Sequence, residues 1–231
     1  MDTEILQLTN ELNRRFNKEI YVKSLQLIKL DSPEAPFWYS NVFIGLANET
    51  LRLQFHLKRA HAKSEPNYLC WAARTLLELR VWALYIVSSE ANAKRFHQDQ
   101  YIDGLTALGA MDKAATKVTG AADRTLLTTT AQALRAQIKP KTEEAGVGRS
   151  DRYLSPRAIA KEVGIEAEFD LHNVLVSKLV HATGYSVLVP QDEDSKRLVM
   201  NWTFKYAVYN ALSILDALNA RLKDLGLPTF A

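Results

Sequence analysis

The sequence is poor in cysteine, which excludes a disulfide-stabilised fold. Its 231 residues include a single cysteine, Cys70, so no disulfide can form within the chain. Without a Cys-x-x-Cys pair a structural zinc site is not expected either. Cys70 lies in the apolar setting "YLCWAA", which favours packing in the core over a reactive thiol. These features are typical of a reducing compartment, and we expect a cytoplasmic protein.

Long apolar runs and a strong charge of one sign are also lacking. The most apolar stretch, "VWALYIVSS" from Val81, is shorter than the roughly 20 residues that span a bilayer. The opening "MDTEILQLTNELNRR" does not have the basic start and apolar stretch of a signal peptide. We therefore expect no membrane partner. The net charge of +3 is mild and dispersed along the chain, so it permits RNA or a nucleotide as a partner without indicating one.

Most of the sequence carries the helical period, and it predicts an all-α fold. We expect one domain over 1–231, a bundle of about seven or eight helices. The central one, 67–88, is apolar on almost every side, which marks a buried helix. Residues 1–36 form an N-terminal helical arm, and 139–154, rich in charge and glycine, form an internal loop or linker. The final helix packs through one apolar face: Phe204, Val208, Ala211, Leu215, Leu218 and Leu222.

Capping signals place two more helices in the second half of the chain. "SPRAIAKEVG" has Ser155 as N-cap, Pro156 at the first helical position and Gly164 as C-cap. The next helix, predicted over Phe169–Ala182, has a broad apolar arc and a narrower polar one. The apolar arc consists of Phe169, Leu171, Leu175, Val176, Leu179 and Val180. The polar arc consists of Asp170, Asn173, Ser177 and His181.

A second polar stripe interrupts the central helix. Arg74, Glu78 and Tyr85 are surrounded by apolar residues, and charges in such surroundings must be paired because burying an isolated charge is costly. Arg74 and Glu78 are four residues apart and can pair with each other. One carboxylate does not use all five N–H donors of a guanidinium, so further polar groups are expected nearby.

We therefore predict that this stripe faces the polar arc and makes a polar seam inside the bundle. The seam is either structural or a site. As a site, His181 is the general acid or base, Glu78 orients it, and Arg74 stabilises developing negative charge. Tyr85, Asn173 and Ser177 are then the binding residues.

Other patterns give weaker predictions. His172 lies within the apolar arc and is interpreted as a packing residue. His56 and His61 are not at the i, i+4 spacing of a zinc helix, so no metal site is predicted. "AGVGRS" follows no strand and does not match a phosphate-binding loop. "PRAIAKEVGIEAEF" has the glycine spacing of a helix-turn-helix, but Asp170 falls where a recognition helix is apolar. No cofactor is predicted.

The motifs resemble those of a known family. Arg74 with Glu78, "AIAKEVG", and Ser177 with "KLVHAT" resemble an uncharacterised bacterial family of all-helical proteins, over roughly Asn67 to Gly184. The architecture is also similar to HEPN-type helical domains of prokaryotic defence and toxin systems, some of which cut RNA. In those nucleases an arginine and a histidine lie on one helix with four to six other residues between them. None of the five histidines of this chain has that spacing.

Two classes of function follow, and the sequence leaves open whether the chain is an enzyme. The first is a non-catalytic or ligand-binding module of a bacterial stress or antiviral defence system, which the absent nuclease spacing favours. The alternative is a HEPN-like hydrolase acting on RNA or nucleotides through His181. A homodimer is compatible with either class, but the sequence identifies neither its interface nor any other partner.

Overall fold

The computed structural model describes residues 3–17, 19–28, 37–147, 154–180 and 192–230. In these ranges the chain is helical without strands, which confirms the predicted all-α class. The nine helices in the described ranges are α1 (Thr3–Arg15), α2 (Glu19–Ile28), α3 (Phe37–Ala62), α4 (Pro66–Ser88), α5 (Glu90–Lys117), α6 (Ala121–Glu144), α7 (Pro156–Glu162), α8 (Glu166–Val180) and α9 (Glu193–Asp224).

The helices group into two compact units. The first, unit 1, combines residues 1–90 with 156–231, and the second, unit 2, consists of residues 91–155. Unit 1 is therefore built from two separate stretches of the sequence. The folding of 1–231 as a single domain stays a prediction.

Helix α4 lies at the centre of unit 1, as predicted from the apolar residues on almost every side of it. It packs against α3, α7, α8 and α9. Cys70 is buried in this core, next to Thr203 of α9. The predicted packing face of α9 is confirmed, since Phe204, Val208, Ala211, Leu215, Leu218 and Leu222 are all buried.

Contacts between side chains fix the directions of three helices. Cys70 of α4 meets Thr203 of α9, and Arg80 meets Asn210 further along both helices, so α4 and α9 run parallel. Glu168 of α8 meets Tyr206 of α9, whereas the later His172 meets the earlier Trp202. Helix α8 therefore runs antiparallel to both α9 and α4.

The described part of the predicted N-terminal arm, α1 and α2, belongs to unit 1, where α1 packs on α9 and α2 packs on α3. Helices α1 and α2 are separated at Asn17, whose side-chain oxygen accepts a hydrogen bond from the backbone N–H of Glu19 at 2.7 Å. Buried Ile5 and Leu12 give α1 an apolar face. Ion pairs from Glu4 to Lys205 and from Arg15 to Asp216 join α1 to α9.

Unit 2 contains an antiparallel pair of helices, α5 and α6. Gln98 near the start of α5 donates a hydrogen bond to the carbonyl of Ala145, just after α6 ends, at 2.9 Å. Further along α5, Gly104 contacts Ile138. A Cβ atom at position 104 would approach the Ile138 side chain to 3.0 Å, so glycine allows the close approach.

The predicted loop over 139–154 begins too early. Helix α6 continues to Glu144 with Pro140 inside it. The helix continues past Pro140 because the turn that follows makes hydrogen bonds of its own. The N–H of Ala145 donates to the carbonyl of Lys141 at 2.9 Å, and the hydroxyl of Thr142 donates to the carbonyl of Ile138. The break comes at Gly146, whose φ of +69° favours glycine.

The predicted helix end at Gly164 is confirmed. Helix α7 begins at Pro156, and Gly164 adopts a φ of +80°. The N–H of Ile165 donates to the carbonyl of Ala160 at 2.8 Å, as in a Schellman-type helix end. Within the described ranges, no helix combines the length and the apolar character that crossing a membrane requires.

Candidate functional site

One predicted pair is present in the structure, and two members of the predicted polar arc bond to each other. Arg74 and Glu78 pair along α4, with 3.3 Å between Nε and Oε1 and about a third of each side chain exposed. On α8, the Ser177 hydroxyl donates to the Asn173 side-chain oxygen at 3.3 Å. Each stripe is thus bonded within its own helix.

The direction of α8 bears on the predicted seam. Because α8 runs antiparallel to α4 and Glu168 meets Arg80, the later residue Ser177 lies towards the same end of the pair as the earlier residue Arg74. Tyr85 lies towards the other end, buried with its ring 6.5 Å from that of Trp82. His181 lies outside the described residues, so contact between the two stripes stays a prediction.

The buried face of α8 differs from the predicted apolar arc. Phe169, His172 and Val176 are buried, whereas Leu171 and Leu175 are exposed. The helix therefore turns inward on the side of His172. The pattern could not show this because the arc was wide enough to offer two apolar faces, and packing against α4 and α9 selects one of them. His172 packs in the interior as expected, stacked on Trp202 and Tyr206, but its Nδ1 has no hydrogen-bond partner among the described residues.

Sequence reasoning missed a buried charge cluster at the junction of α4, α8 and α9. Arg80 is buried, and its Nη1 donates to Glu168 Oε1 at 2.6 Å and to Asn210 Oδ1 at 3.3 Å. Its Nη2 donates to the Tyr209 hydroxyl at 3.3 Å. The Tyr206 hydroxyl donates to the same Glu168 oxygen at 3.1 Å. One carboxylate thus joins three helices through a buried guanidinium.

The electrostatics hold these groups in single protonation states. Burial disfavours the charged form of Glu168, but hydrogen bonding to Arg80 and the charge of Arg80 outweigh this and lower the pKa of the carboxyl. Burial and the Glu168 charge raise the pKa of Tyr206. Burial lowers the pKa of His172. At neutral pH Glu168 is therefore ionised, whereas Tyr206 and His172 are neutral.

Aromatic rings cover the cluster. His172 stacks on Tyr206 with 3.2 Å between ring centroids and on Trp202 with 4.9 Å, and both pairs lie within 16° of parallel. The Arg80 guanidinium lies 4.7 Å from the centre of the Tyr209 ring, a cation–π contact. Trp202 remains 37% exposed and Tyr209 50% exposed. The rings thus form a stacked layer with one side open to solvent.

Three buried nitrogens in the cluster have no hydrogen-bond partner within the part of the chain that the structure describes: Arg80 Nε, His172 Nδ1 and Asn210 Nδ2. A buried polar atom of this kind costs free energy unless a water molecule or ligand satisfies it. Because these nitrogens lie in one cluster with the partly exposed side chains of Trp202 and Tyr209, this junction is the candidate ligand site. Over the same described ranges, no group of three His, Cys, Asp or Glu side chains could hold a metal ion.

The sequence did contain a signal for this cluster. Arg80 lies between Leu77 and Val81 in the most apolar helix, on the side of α4 away from Glu78. A charge there cannot be paired by its own stripe, so its partner has to come from another helix. Trp202, Tyr206 and Tyr209 recur at i, i+4 and i+7 on α9, which marks one face.

A separate pocket of about 300 Å³ lies between α1, the end of α3 and the start of α9. Its polar side chains have partners. His61 Nε2 lies 3.0 Å from the side-chain oxygen of Asn201, and Arg197 pairs with Asp194 at 2.9 Å. These bonds make it a weaker candidate than the Arg80 cluster.

Comparison of the chain with the families of known proteins, with curated proteins and with solved structures finds no match.

Proposed function

We propose that the chain is a non-catalytic, ligand-binding helical module, with its ligand site at the Arg80–Glu168 cluster. The observation that carries the proposal is the set of three buried nitrogens, Arg80 Nε, His172 Nδ1 and Asn210 Nδ2, left without a partner among the described residues, in a cluster that also contains the partly exposed side chains of Trp202 and Tyr209. A ligand carrying hydrogen-bonding groups would satisfy these atoms. The surrounding bonds already hold the guanidinium and the rings in place, so little ordering is needed on binding.

The shape of the site favours a flat aromatic ligand, and we propose a nucleobase. The exposed ring of Trp202 continues a layer of near-parallel rings. A base stacked on an aromatic side chain contributes about 1–3 kcal/mol, whatever its identity. The base can belong to a free nucleotide or to single-stranded RNA, which share this chemistry.

The protonation states support binding over catalysis. A general acid or base works best when its pKa lies near the working pH. In the cluster the carboxyl pKa is lowered and the phenol pKa is raised, so both move away from neutrality. Such groups are suited to fixed charges and fixed hydrogen-bond donors.

We include the predicted seam in this proposal. In it, Arg74, Glu78, Ser177 and His181 have a structural role or contact the ligand. The wider setting, a bacterial stress or antiviral defence system, rests on the resemblance of the three motifs and of the helical architecture alone. The alternative, a HEPN-like hydrolase with His181 as general acid or base, is a distinct outcome of the tests below.

The binding proposal is tested by calorimetric titration of the protein with the four ribonucleoside monophosphates and with a short single-stranded RNA. We expect binding that Trp202→Ala weakens about tenfold, in line with the loss of one stacking contact. Leu198→Ala is the matched control, because Leu198 is an exposed apolar residue one turn earlier on the same helix. Binding of RNA but not of monophosphates would identify a polymer as the ligand. Failure of the wild type to bind either would overturn the proposal.

The hydrolase alternative is tested with the wild type and His181→Ala in a bacterial host. Host growth and RNA integrity are compared at equal amounts of folded protein. Equal results exclude a nuclease that depends on His181. RNA loss with the wild type alone would instead establish catalysis and overturn the non-catalytic proposal.

A further inference from the structure

The outer face of the helical hairpin formed by α3 and α4 carries exposed aromatic rings. Phe55 is 60% exposed on α3, and Tyr68 and Trp71 are 63% and 37% exposed on α4. Tyr68 and Trp71 are three residues apart, so their side chains are neighbours on the helix surface. Single exposed apolar residues are ordinary, whereas a group of large ones marks a binding surface. None of these rings belongs to the Arg80 cluster.

Ring contacts join the two helices at this face. The His56 ring meets the Trp71 ring edge to face, with 5.9 Å between centroids, and Phe55 meets His56 in the same way at 6.2 Å. The Arg52 guanidinium lies 5.8 Å from the centre of the Trp71 ring, a cation–π contact. Because these neighbours already hold the rings in place, a ligand that binds here needs little ordering of the protein.

Basic side chains follow the same face of α3. The spacing i, i+3, i+4, i+7 and i+11 places five residues on one side of the helix: Arg52, Phe55, His56, Arg59 and Lys63. The N–H of Lys63 donates to the carbonyl of Arg59 at 3.0 Å, so the helical spacing continues to Lys63. These five residues, together with Tyr68 and Trp71, are called the hairpin strip.

Two of the three cations in the hairpin strip have no acidic partner. Arg52 pairs with Glu49. Arg59 and Lys63 are exposed and form no ion pair within the described ranges. The dipole of α3 favours basic residues in its last turn, but it does not account for the exposed rings beside them. Positive charge next to open aromatic rings is complementary to a chain of phosphates and bases.

We propose that the hairpin strip binds single-stranded nucleic acid, whose bases stack on the exposed rings while its phosphates lie beside Arg59 and Lys63. Bases in a duplex are already stacked on each other, so open rings favour an unpaired strand. The strip is about 16 Å long at 1.5 Å per residue, which gives room for about five nucleotides at 3.4 Å each. The proposal is independent of the Arg80 cluster, since it concerns other side chains.

A membrane surface is the other partner that exposed rings and basic residues attract. A helix that lies in a membrane interface buries a continuous apolar face in the lipid. In this stretch of α3, Leu53 and Leu57 are buried in the protein core instead, and the exposed side chains of the strip are rings and cations. This pattern favours nucleic acid over lipid.

Fluorescence anisotropy with a labelled oligouridylate of about ten nucleotides tests the role of the cations. We expect Arg59→Gln/Lys63→Gln to weaken binding and to make the slope of log affinity against log salt shallower by about 1.4, since each neutralised phosphate of a single strand contributes about 0.7. Lys139→Gln/Lys141→Gln is the matched control, because it removes the same charge from exposed positions of α6. Equal slopes for the two double variants would overturn the proposal.

The same titration tests the rings. We expect Phe55→Ala to weaken oligouridylate binding about tenfold, as the loss of one stacking contact does. Leu126→Ala is the matched control, since Leu126 is 67% exposed on α6. A loss of oligouridylate binding with Trp202→Ala but not with Phe55→Ala would place the strand on the Arg80 cluster and overturn the strip.

Two further outcomes separate this proposal from the others. Binding of ribonucleoside monophosphates without binding of the oligouridylate would overturn the strip and leave the Arg80 cluster as a ligand site. Sedimentation of the wild type with vesicles of phosphatidylcholine and phosphatidylserine, without binding of the oligouridylate, would identify the strip as a membrane-binding surface and overturn the proposal.

Discussion

Two arginine–glutamate pairs start from the same helix, α4, and differ in the burial of the arginine and in the reach of the pair, although both glutamate side chains are 31% exposed. Arg74 and Glu78 pair within the helix at 3.3 Å, with both side chains about a third exposed. Arg80 reaches Glu168 on α8 at 2.6 Å, with 8% of the arginine side chain exposed. The first pair is local and partly exposed at both side chains, whereas the second joins two helices and buries its arginine.

The difference shows which pair stabilises the fold. Water and salt screen an exposed i, i+4 pair, which contributes about 0.3–0.5 kcal/mol. A buried pair gains from the low local dielectric, and removing one partner leaves a desolvated charge. The Arg74–Glu78 pair, which the i, i+4 spacing predicts, is therefore expected to contribute little to the free energy of unfolding. The Arg80–Glu168 pair, which no local spacing predicts, joins α4 to α8.

The largest expected effect is that of Glu168→Ala. The substitution leaves the Arg80 guanidinium buried without its carboxylate, and we expect the free energy of unfolding to fall by about 3 kcal/mol. Urea denaturation followed by circular dichroism measures the change. Glu168→Gln is the matched control, because its side-chain oxygen can still accept from Arg80 and Tyr206. A loss below about 1 kcal/mol for Glu168→Ala would show that the buried pair resembles the exposed one.

The second effect concerns pH. Burial lowers the pKa of His172 from its ordinary 6.5, with the Glu168 charge raising it and the Arg80 charge lowering it by smaller amounts. As the pH falls, His172 is therefore protonated near pH 6.5 in the unfolded chain but only at a lower pH in the folded chain. The stability that neutral His172 contributes is fully present above pH 6.5 and is lost as the pH falls towards the folded pKa. We expect His172→Phe, which keeps a stacking ring, to lose less stability on acidification.

This pH effect is measured as the difference between the two proteins in urea denaturation from neutral pH to about pH 5, the range in which an ordinary histidine titrates. Burial also lowers the pKa of His97, but His97 is present in both proteins, so the difference reports His172. Parallel profiles would show that His172 takes up its proton as freely when folded as when unfolded.

The smallest expected effect is that of Arg74→Ala. Since the Arg74–Glu78 pair is partly solvated, we expect the coupling between the two side chains to stay within about 0.5 kcal/mol. A double-mutant cycle with Glu78→Ala isolates this coupling from changes in packing. A coupling of several kcal/mol would remove the contrast with Arg80.

The helices themselves could be predicted from the sequence because their signals are local. Pro156 and Gly164 bound α7 as expected from capping, and the apolar face of α9 is recognisable from its period. Glycine, proline and apolar spacing act over a few residues, so the sequence displays them directly. Loop boundaries are less predictable from such local signals. Charge and glycine content predicted a loop from Lys139, but α6 continues through Pro140 to Glu144.

The Arg80 cluster could not be predicted in the same way. Its members lie on three helices, and the whole of unit 2 lies between Arg80 and Glu168 in the sequence. The inward face of α8 likewise depends on which neighbours pack against it. Helical spacing shows which side chains share a face, but not which face is buried or which distant charge it meets.

The construction of unit 1 from two stretches of sequence has a consequence for synthesis. After α4 is made, roughly 100 residues must follow before α9 begins to appear, which takes about 5–20 seconds at ordinary translation rates. During that interval the apolar surface of α4 that will face α9 has no partner, and Arg80 has yet to meet Glu168. The nascent chain is therefore open to chaperones, and to pairing with other nascent chains, until α9 emerges.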